Sequence, residues 1–379
     1  MLEFWFWLLA FGAVFSYFIY PLLLSLANVF FGKKLDIDGD EPSHKLTVIV
    51  TAYNEESRIR EKILNTLALK YPADKLELVV ASDCSEDGTD RIVQEYADQG
   101  VKLVRATERL GKENAQREAI ESASGDILVF SDVATEIPDD ALMKLERYFQ
   151  DDDVGAVSSE DRFVSQDGKV AGEGAYVKYE MWLRRLESRL YGLVGLSGSF
   201  FAARKSICKD WDIHSPSDFN TALNTAKAGK RAVTASDVLG YYKDLKDAQK
   251  EYQRKVRTVL RGMVGLSRHT EVLNPFTLGG FAFQTFSHKI MRWLVPWFLL
   301  GTFLTSAALS TEGAIYALAL WVQLGFYGIA IAAHFLPNLR STSLIKIIYF
   351  FVQVNVAIFE SSIKFLSGQR MTKWTPSAR

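Results

Sequence analysis

Residues 126–140 read DILVFSDVATEIPDD, and the reading of this stretch decides the fold. Ile127 to Phe130 are apolar without polar alternation, the run stops on Ser131 and Asp132, and Pro138 then offers a residue suited to opening a helix. A strand with no alternation is buried on both faces, the condition of a parallel sheet covered by helices. A carboxylate at its tip therefore needs a reason.

The neighbouring sequence repeats the pattern. LTVIV (46–50) precedes the amphipathic ESRIREKILNTLALK, LELVVAS (76–82) precedes GTDRIVQEYADQ, and VKLVRA (101–106) precedes KENAQREAIESA. After DILVFSD comes PDDALMKLERYF, then a last apolar run, VGAVS (154–158). Strands alternating with helices predict an α/β fold with a doubly wound, mostly parallel sheet, and ligands in such sheets sit beyond the carboxyl ends of the strands. Those ends are polar here. Thr51-Ala52-Tyr53-Asn54-Glu55 follows the first strand, Ser82-Asp83 the second, and Ser131-Asp132 the fourth. Each acid is a candidate helix cap taken singly; gathered at one edge, Glu55, Asp83 and Asp132 predict a ligand.

Charge and hydropathy set the surroundings. The 379 residues carry 44 Lys+Arg against 45 Asp+Glu, so no global basic excess recruits nucleic acid. No charged side chain occurs from Phe4 to Phe31, from Trp293 to Thr311, or, His334 aside, from Gly313 to Leu339. Each run meets or approaches the roughly 20 residues a membrane helix needs. The first begins Met1-Leu2-Glu3 and is longer than the apolar core of a cleaved signal, so it predicts an uncleaved anchor. Lys33 and Lys34 place the following domain in the cytoplasm, which the two cysteines, Cys84 and Cys208, fit. The expected organisation is an anchor over 1–32, a catalytic domain over 45–262, an interfacial amphipathic segment over 263–289, a membrane region over 290–367 and a basic tail over 368–379. The last apolar segment, IIYFFVQVNVAIF, is short and holds Gln353 and Asn355; a tilted or re-entrant helix there keeps the basic tail (Arg370, Lys373, Arg379) cytoplasmic. A multi-pass protein of the cell (inner) membrane is the expectation.

The site chemistry excludes two phosphate cradles. There is no Rossmann glycine pattern, and Gly111-Lys112 is followed by Glu113 without the upstream glycine of a Walker loop. Converging acids suit a divalent metal that in turn binds a diphosphate, and Asp83 suits hydrogen bonds from a base or ribose. A nucleotide diphosphate joined to a transferable group satisfies both.

The order TAYNEE, ASDCSEDGT, ERLGKENA, FSDVAT, GSFFAARKSI, SPSDFNTALNTAKAGKRAV and QRKVRTVLRG resembles the membrane-integrated members of glycosyltransferase family 2, over about Leu46 to Gly262. That resemblance implies a GT-A fold and inverting sugar transfer from a nucleotide-sugar, expected to be a UDP-sugar, to a lipid-linked or growing glycan acceptor at the bilayer. It implies that Thr51, Ala52, Tyr53 and Glu55 open the nucleotide pocket, that Asp83 contacts the uracil, and that Lys112 lies near the diphosphate. It further implies that Asp132 begins the Asp-x-Asp motif for Mg²⁺ or Mn²⁺, and that Asp218 is the catalytic base. The sequence departs from the pattern in two places. Ala134 stands at the third motif position, leaving Glu136 as a distant second ligand, and Gln-x-x-Arg-Trp is replaced by Arg254-Lys255-Val256-Arg257-Thr258. The missing Trp speaks against a long-chain processive synthase.

From the residues alone, Asp218 is equally a helix N-cap, with Glu160 and Asp161 next in line as bases. Arg254, Arg257 and Arg261, at three- and four-residue spacing, form one cationic helix face, for the diphosphate of a substrate during catalysis, for lipid headgroups, or simply solvated. His288, beside Lys289 in an aromatic stretch, reads as structural or lipid-facing. A sugar-nucleotide sensor without catalysis and a transporter are the alternatives from other classes; Asp218 and Arg257 argue against the first, the few charges within the spans against the second.

Overall fold

A computed structural model describes residues 1–35, 37, 41–164, 175–243 and 248–371. Seven strands form one sheet: β1 (Leu46–Ala52), β2 (Leu76–Ser82), β3 (Val101–Arg105), β4 (Ile127–Asp132), β5 (Val154–Val164), β6 (Phe200–Arg204) and β7 (Arg231–Lys243), in the order β3-β2-β1-β4-β6-β5-β7. Only β6 runs against the others, antiparallel to both β4 and β5. The five strand runs read from the sequence are β1 to β5, and the sheet is mostly parallel as expected. The reversal at β6 has a consequence for the site, because the loop that enters β6 then lies where β4 ends. Asp132 N–H donates to Ser199 O at 3.0 Å across that junction.

Both faces of the sheet are covered, as the strand patterns require. On β1, Leu46, Val48, Val50 and Ala52 enter one apolar cluster and Ile49 the other. Helices α2 (Ile59–Leu67), α3 (Thr89–Gln94), α4 (Lys112–Ser122) and α5 (Ala141–Arg147) follow β1 to β4 in turn. Phe130 of β4 is 1% exposed and stacks on Phe201 of β6 and Trp211, with ring centres 4.8 and 5.1 Å away. Truncating such a ring costs about 3–5 kcal/mol.

The remaining helices join this domain to four that are long and apolar enough to cross a membrane. The four are α1 (Leu2–Phe31), α9 (Pro275–Ala308), α10 (Ala314–Phe335) and α11 (Ser343–Leu366). Between them come α6 (Ala175–Ser188), α7 (Ser217–Lys227) and the amphipathic α8 (Ala248–Arg268). The stretch over 263–289 comprises the end of α8, a 3-10 turn over Thr270–Leu273 and the start of α9, which bends at Gly279 and continues past Lys289 without a break. The last apolar segment is longer than its sequence suggests, 24 residues as α11. Its second half docks on α8: Ser361 Oγ donates to Val256 O at 3.1 Å and Tyr252 OH to Glu360 at 2.7 Å. Lys373 and Arg379 of the basic tail lie outside the described residues.

Candidate active site

The strand register assembles the predicted edge. Thr51 of β1 stands opposite Asp132 of β4 on one side and Ala81 of β2 on the other, so Thr51, Ala52, Asp83 and Asp132 share one level at the carboxyl ends. A cavity of about 650 Å³ opens there; Glu55, Lys112, Asp132, Asp218 and the arginines 254, 257 and 261 line it. Thr51, Ala52, Tyr53 and Asp83 do not. They form a neighbouring shelf, where Tyr53 lies beneath the Arg109 guanidinium at 3.8 Å and Asp83 Oδ1 accepts the Gly111 N–H at 3.1 Å. Thr51 Oγ1 and Asp83 Oδ2 are buried without a hydrogen-bond partner among the described residues. Burial pushes the Asp83 carboxyl above its usual range, against the Gly111 N–H.

Lys112 and Asp132 are in direct contact, which their separate roles did not foresee. Gly111, with φ of 113°, turns the chain into α4 so that Lys112 Nζ donates to Asp132 Oδ1 at 2.5 Å and to Gly198 O at 3.1 Å. Burial opposes the ammonium charge, yet Asp132 more than compensates and raises the Lys112 pKa. The loop entering β6 thus supplies a carbonyl to the same cation. Gly198 also leaves room for the base candidate, since a Cβ there would stand 3.2 Å from Asp218 Oδ2.

Asp218 occupies the first turn of α7, one residue past Ser217, and the N-cap position belongs to Pro216. Asp218 is thus not the N-cap residue; its carboxylate takes the Phe219 backbone N–H and also lines the cavity. Burial raises its pKa, with Lys112 and Arg261 pulling the other way. Asp161 also lines the cavity but is engaged by Ser197 Oγ at 2.6 Å and by Ser199 Oγ, whereas Glu160 pairs with Arg162 at 3.0 Å and is not on the cavity wall.

The cationic face on α8 forms as its spacing predicts. Arg261 is tied to Glu113 of α4 at 2.7 Å, which anchors α8 beside Lys112. Burial, then Arg261 and Arg254, lower the Arg257 pKa, so a bound anion would relieve mutual repulsion. Thr258 also lies on the wall.

As for a metal, no three His, Cys, Asp or Glu side chains group together among the described residues. Asp132, about one-third exposed (31%), is the ligand candidate, and Ala134 beside it adds none. Glu136 instead pairs through its backbone with Tyr241. A single carboxylate suits Mg²⁺-type binding, in which substrate phosphates and water complete the shell.

The sequence reading kept the charged groups of this wall out of the site, giving His288, Lys289 and Arg292 to an interfacial stretch. Glu180 and Arg184 of α6 and His288, Lys289 and Arg292 of α9 all line the cavity. His288 is buried, with Nδ1 2.7 Å from Glu187 Oε1, so it is structural and does not face lipid. The signal available was four polar or charged residues, Ser287-His288-Lys289 and Arg292, beside an apolar run.

Comparison with known proteins agrees with this geometry. Residues 47–211 match the family described as Glycosyl transferase family 2 and form a domain of that family. Poly-beta-1,6-N-acetyl-D-glucosamine synthase of Staphylococcus aureus is 28% identical over 209 residues, covering 53% of this chain and 48% of that protein. The synthase of the same name from Staphylococcus epidermidis is 27% identical over 175 residues, 44% of this chain and 42% of that one. The chain thus spans about half the length of the curated relatives it matches. Among solved structures, the mannosyltransferase PcManGT of Pyrobaculum calidifontis, in complex with GDP-Man and Mn²⁺, superposes with a TM-score of 0.74 at 24% identity, covering 98% of this chain and 100% of that one. The shared fold is GT-A.

Proposed function

We propose that this family 2 domain transfers a sugar, with inversion, from a nucleoside diphosphate sugar of the UDP class to a lipid-linked or growing glycan acceptor at the membrane. One observation carries the reading: a single cavity joins Asp132 and Lys112 at the strand ends, Asp218 across from them, and apolar side chains of candidate membrane helices. The shelf of Thr51, Ala52, Tyr53 and Asp83 takes the nucleobase and ribose, whose donors supply the partner that Asp83 Oδ2 lacks. Lys112 shifts part of its contact from Asp132 to the diphosphate, and Arg254, Arg257 and Arg261 neutralise the charge that grows there as the anomeric bond breaks. Asp218 accepts the acceptor hydroxyl proton as its oxygen attacks the anomeric carbon. Its raised pKa makes it a better base than an exposed carboxylate. A divalent cation at Asp132, when bound, supplies further neutralisation of the leaving diphosphate.

Placement follows the same logic. Lys33 and Lys34 after α1 favour a cytoplasmic domain at the cell membrane. The docking of the second half of α11 on α8 supports a chain end on the domain's side, as a tilted or re-entrant helix requires. Thr258, which places a hydroxyl and no ring at its own position on the wall, supports a product of one or a few sugars. The polymer synthases among the relatives favour the second reading, processive synthesis. The test is incubation of the purified full chain with a panel of UDP- and GDP-sugars, with and without membrane lipid extract, following nucleotide release and product length. Release from one UDP-sugar that rises with lipid, with short products, is expected. A ladder of high polymer selects the processive reading, and no release with any donor and lipid leaves a sugar-nucleotide-binding protein without catalysis.

A further inference from the structure

Where α1, α6 and α9 meet, the cavity floor carries more cationic hydrogen-bond donors than the protein satisfies. Arg292 is 8% exposed; its Nη1 donates to Glu180 Oε1 at 2.6 Å and its guanidinium carbon lies 4.8 Å from the centre of the Tyr17 ring. Its Nε and Nη2 have no acceptor among the described residues. Arg184 donates from Nη1 to Gly195 O at 2.9 Å and from Nη2 to Ser158 Oγ at 2.7 Å, and its Nε is likewise buried and unpaired. Lys289 makes no hydrogen bond or ion pair among the described residues; its Nζ lies 5.4 Å from the centre of the Phe219 ring, next to Asp218 in the chain. Of the four carboxylates around these cations, Glu180 pairs with Arg292, Glu187 accepts Tyr20 OH at 2.6 Å and the His288 ring at 2.7 Å, Asp161 is held by Ser197 and Ser199, and Asp218 makes no ion pair with any of the three, so the free N–H groups of Arg184, Lys289 and Arg292 stay without an acceptor among the described residues.

Cations on a candidate membrane helix are costly, and their retention calls for a partner. Both helices are distorted at this level: α1 makes a π turn over Phe15–Ile19, α9 another over Phe286–Ile290, and the two turns touch. Such turns frequently mark functional positions. Beside the cations, the same cavity is walled by Trp293 of α9 and by Phe350, Val354 and Ile358 of α11. The missing ligand is thus anionic at one end and apolar at the other. Phosphate is the anion that matches unsatisfied guanidinium forks beside an ammonium.

We propose that Arg184, Lys289 and Arg292 form the site for the phosphate headgroup of a lipid acceptor, whose chain lies along the apolar wall of α9 and α11. That this lipid is the acceptor rests on the transfer reading above; that the site binds a lipid phosphate does not. Free phosphate shares the anion chemistry but leaves the apolar wall unused, which separates the two sources.

The experiment titrates the detergent-solubilised full chain with hexadecyl phosphate, hexadecanol, inorganic phosphate and UDP by calorimetry, with native mass spectrometry for stoichiometry. Hexadecyl phosphate should bind at least about tenfold more tightly than hexadecanol or inorganic phosphate, the value of one charge-assisted hydrogen bond or more. Lys289→Gln should remove about that factor while leaving UDP binding at the wild-type level. Arg292→Gln should do the same, and Lys289→Gln decides the matter if loss of the Glu180 pair unfolds the Arg292 variant. Equal binding of alcohol and phosphate, inorganic phosphate binding as tightly as its alkyl ester, stoichiometric displacement by UDP, or an unaffected Lys289→Gln would each overturn the site. The two readings fail separately: if no transfer is ever detected but hexadecyl phosphate binding depends on Lys289, the lipid site stands without the transferase.

Discussion

Glu77 and Asp83 bracket the same strand, β2, yet the fold treats them in opposite ways. At the amino end, Glu77 accepts Thr47 Oγ1 at 2.6 Å, the Ser124 N–H at 2.8 Å and the Lys102 ammonium. Burial works against its charge, but these partners hold its pKa down to about 2. At the carboxyl end, Asp83 has one backbone partner and one empty oxygen, and burial leaves its pKa raised. The adjacent strand repeats the contrast, since Thr47 is bonded and Thr51 is not. A buried polar atom without a partner costs about 1–3 kcal/mol. Thr51 Oγ1 and Asp83 Oδ2 lie close together at this edge, and a polar ligand there would satisfy both. On the proposed reading, the bonded end of β2 serves stability and the unbonded end serves binding.

That contrast breaks or sharpens under substitution. The largest effect belongs to Asp218→Asn, which keeps size and removes basicity: transfer should fall about 10²–10⁴-fold with UDP binding and Tm unchanged. Retained turnover would move the base to Asp161, the other acid on that wall. The acidic limb of kcat/KM should lie above the ordinary carboxylate range in wild type, because the raised Asp218 pKa delays formation of the active carboxylate as pH rises. Next, Asp132→Asn should lower transfer about 10²–10³-fold and abolish stimulation by Mg²⁺ or Mn²⁺. Asparagine retains an acceptor for Lys112, so turnover that still tracks metal concentration would place the ligand elsewhere.

Glu77→Gln should leave activity per folded molecule unchanged and cost about 1–3 kcal/mol of stability, read as a lower Tm. The sign with pH is fixed: the folded pKa is depressed, so the contribution is full above the unfolded value of about 4.3 and disappears as pH falls through about 2. A difference between wild type and variant that grows on acidification would contradict it. The smallest effect is expected at Asp83→Asn, where UDP affinity should drop about tenfold with no loss of Tm, since no stabilising carboxylate network is removed. A large fall in Tm there would erase the distinction between the two ends.

Much of this was legible in the chain because it is local. Unalternating apolar runs mark β1 to β5, and the acids at their ends mark the edge where a ligand sits, since a parallel sheet brings every such end to the same side. The three- and four-residue spacing of Arg254, Arg257 and Arg261 likewise places them on one face of α8 whatever they touch. What stayed hidden depends on contacts between distant segments. FFAAR of β6 is too short to announce its direction, and only its antiparallel seat beside β4 brings Gly198 and Ser199 to Asp132. Whether Asp218 is the N-cap of its helix turned on the backbone, which gives that place to Pro216.

By itself, then, the sequence determined the α/β sheet, the polar edge at its strand ends and the apolar helices, because periodicity, charge-free length and strand-end chemistry are set by neighbours along the chain. Tertiary structure alone decided that Lys112 and Asp132 meet, that α11 docks on α8, and that Arg184, Lys289 and Arg292 share one cavity. Those outcomes join residues 20 to more than a hundred positions apart, and a charge reveals its lack of a partner only when everything packed around it is in place.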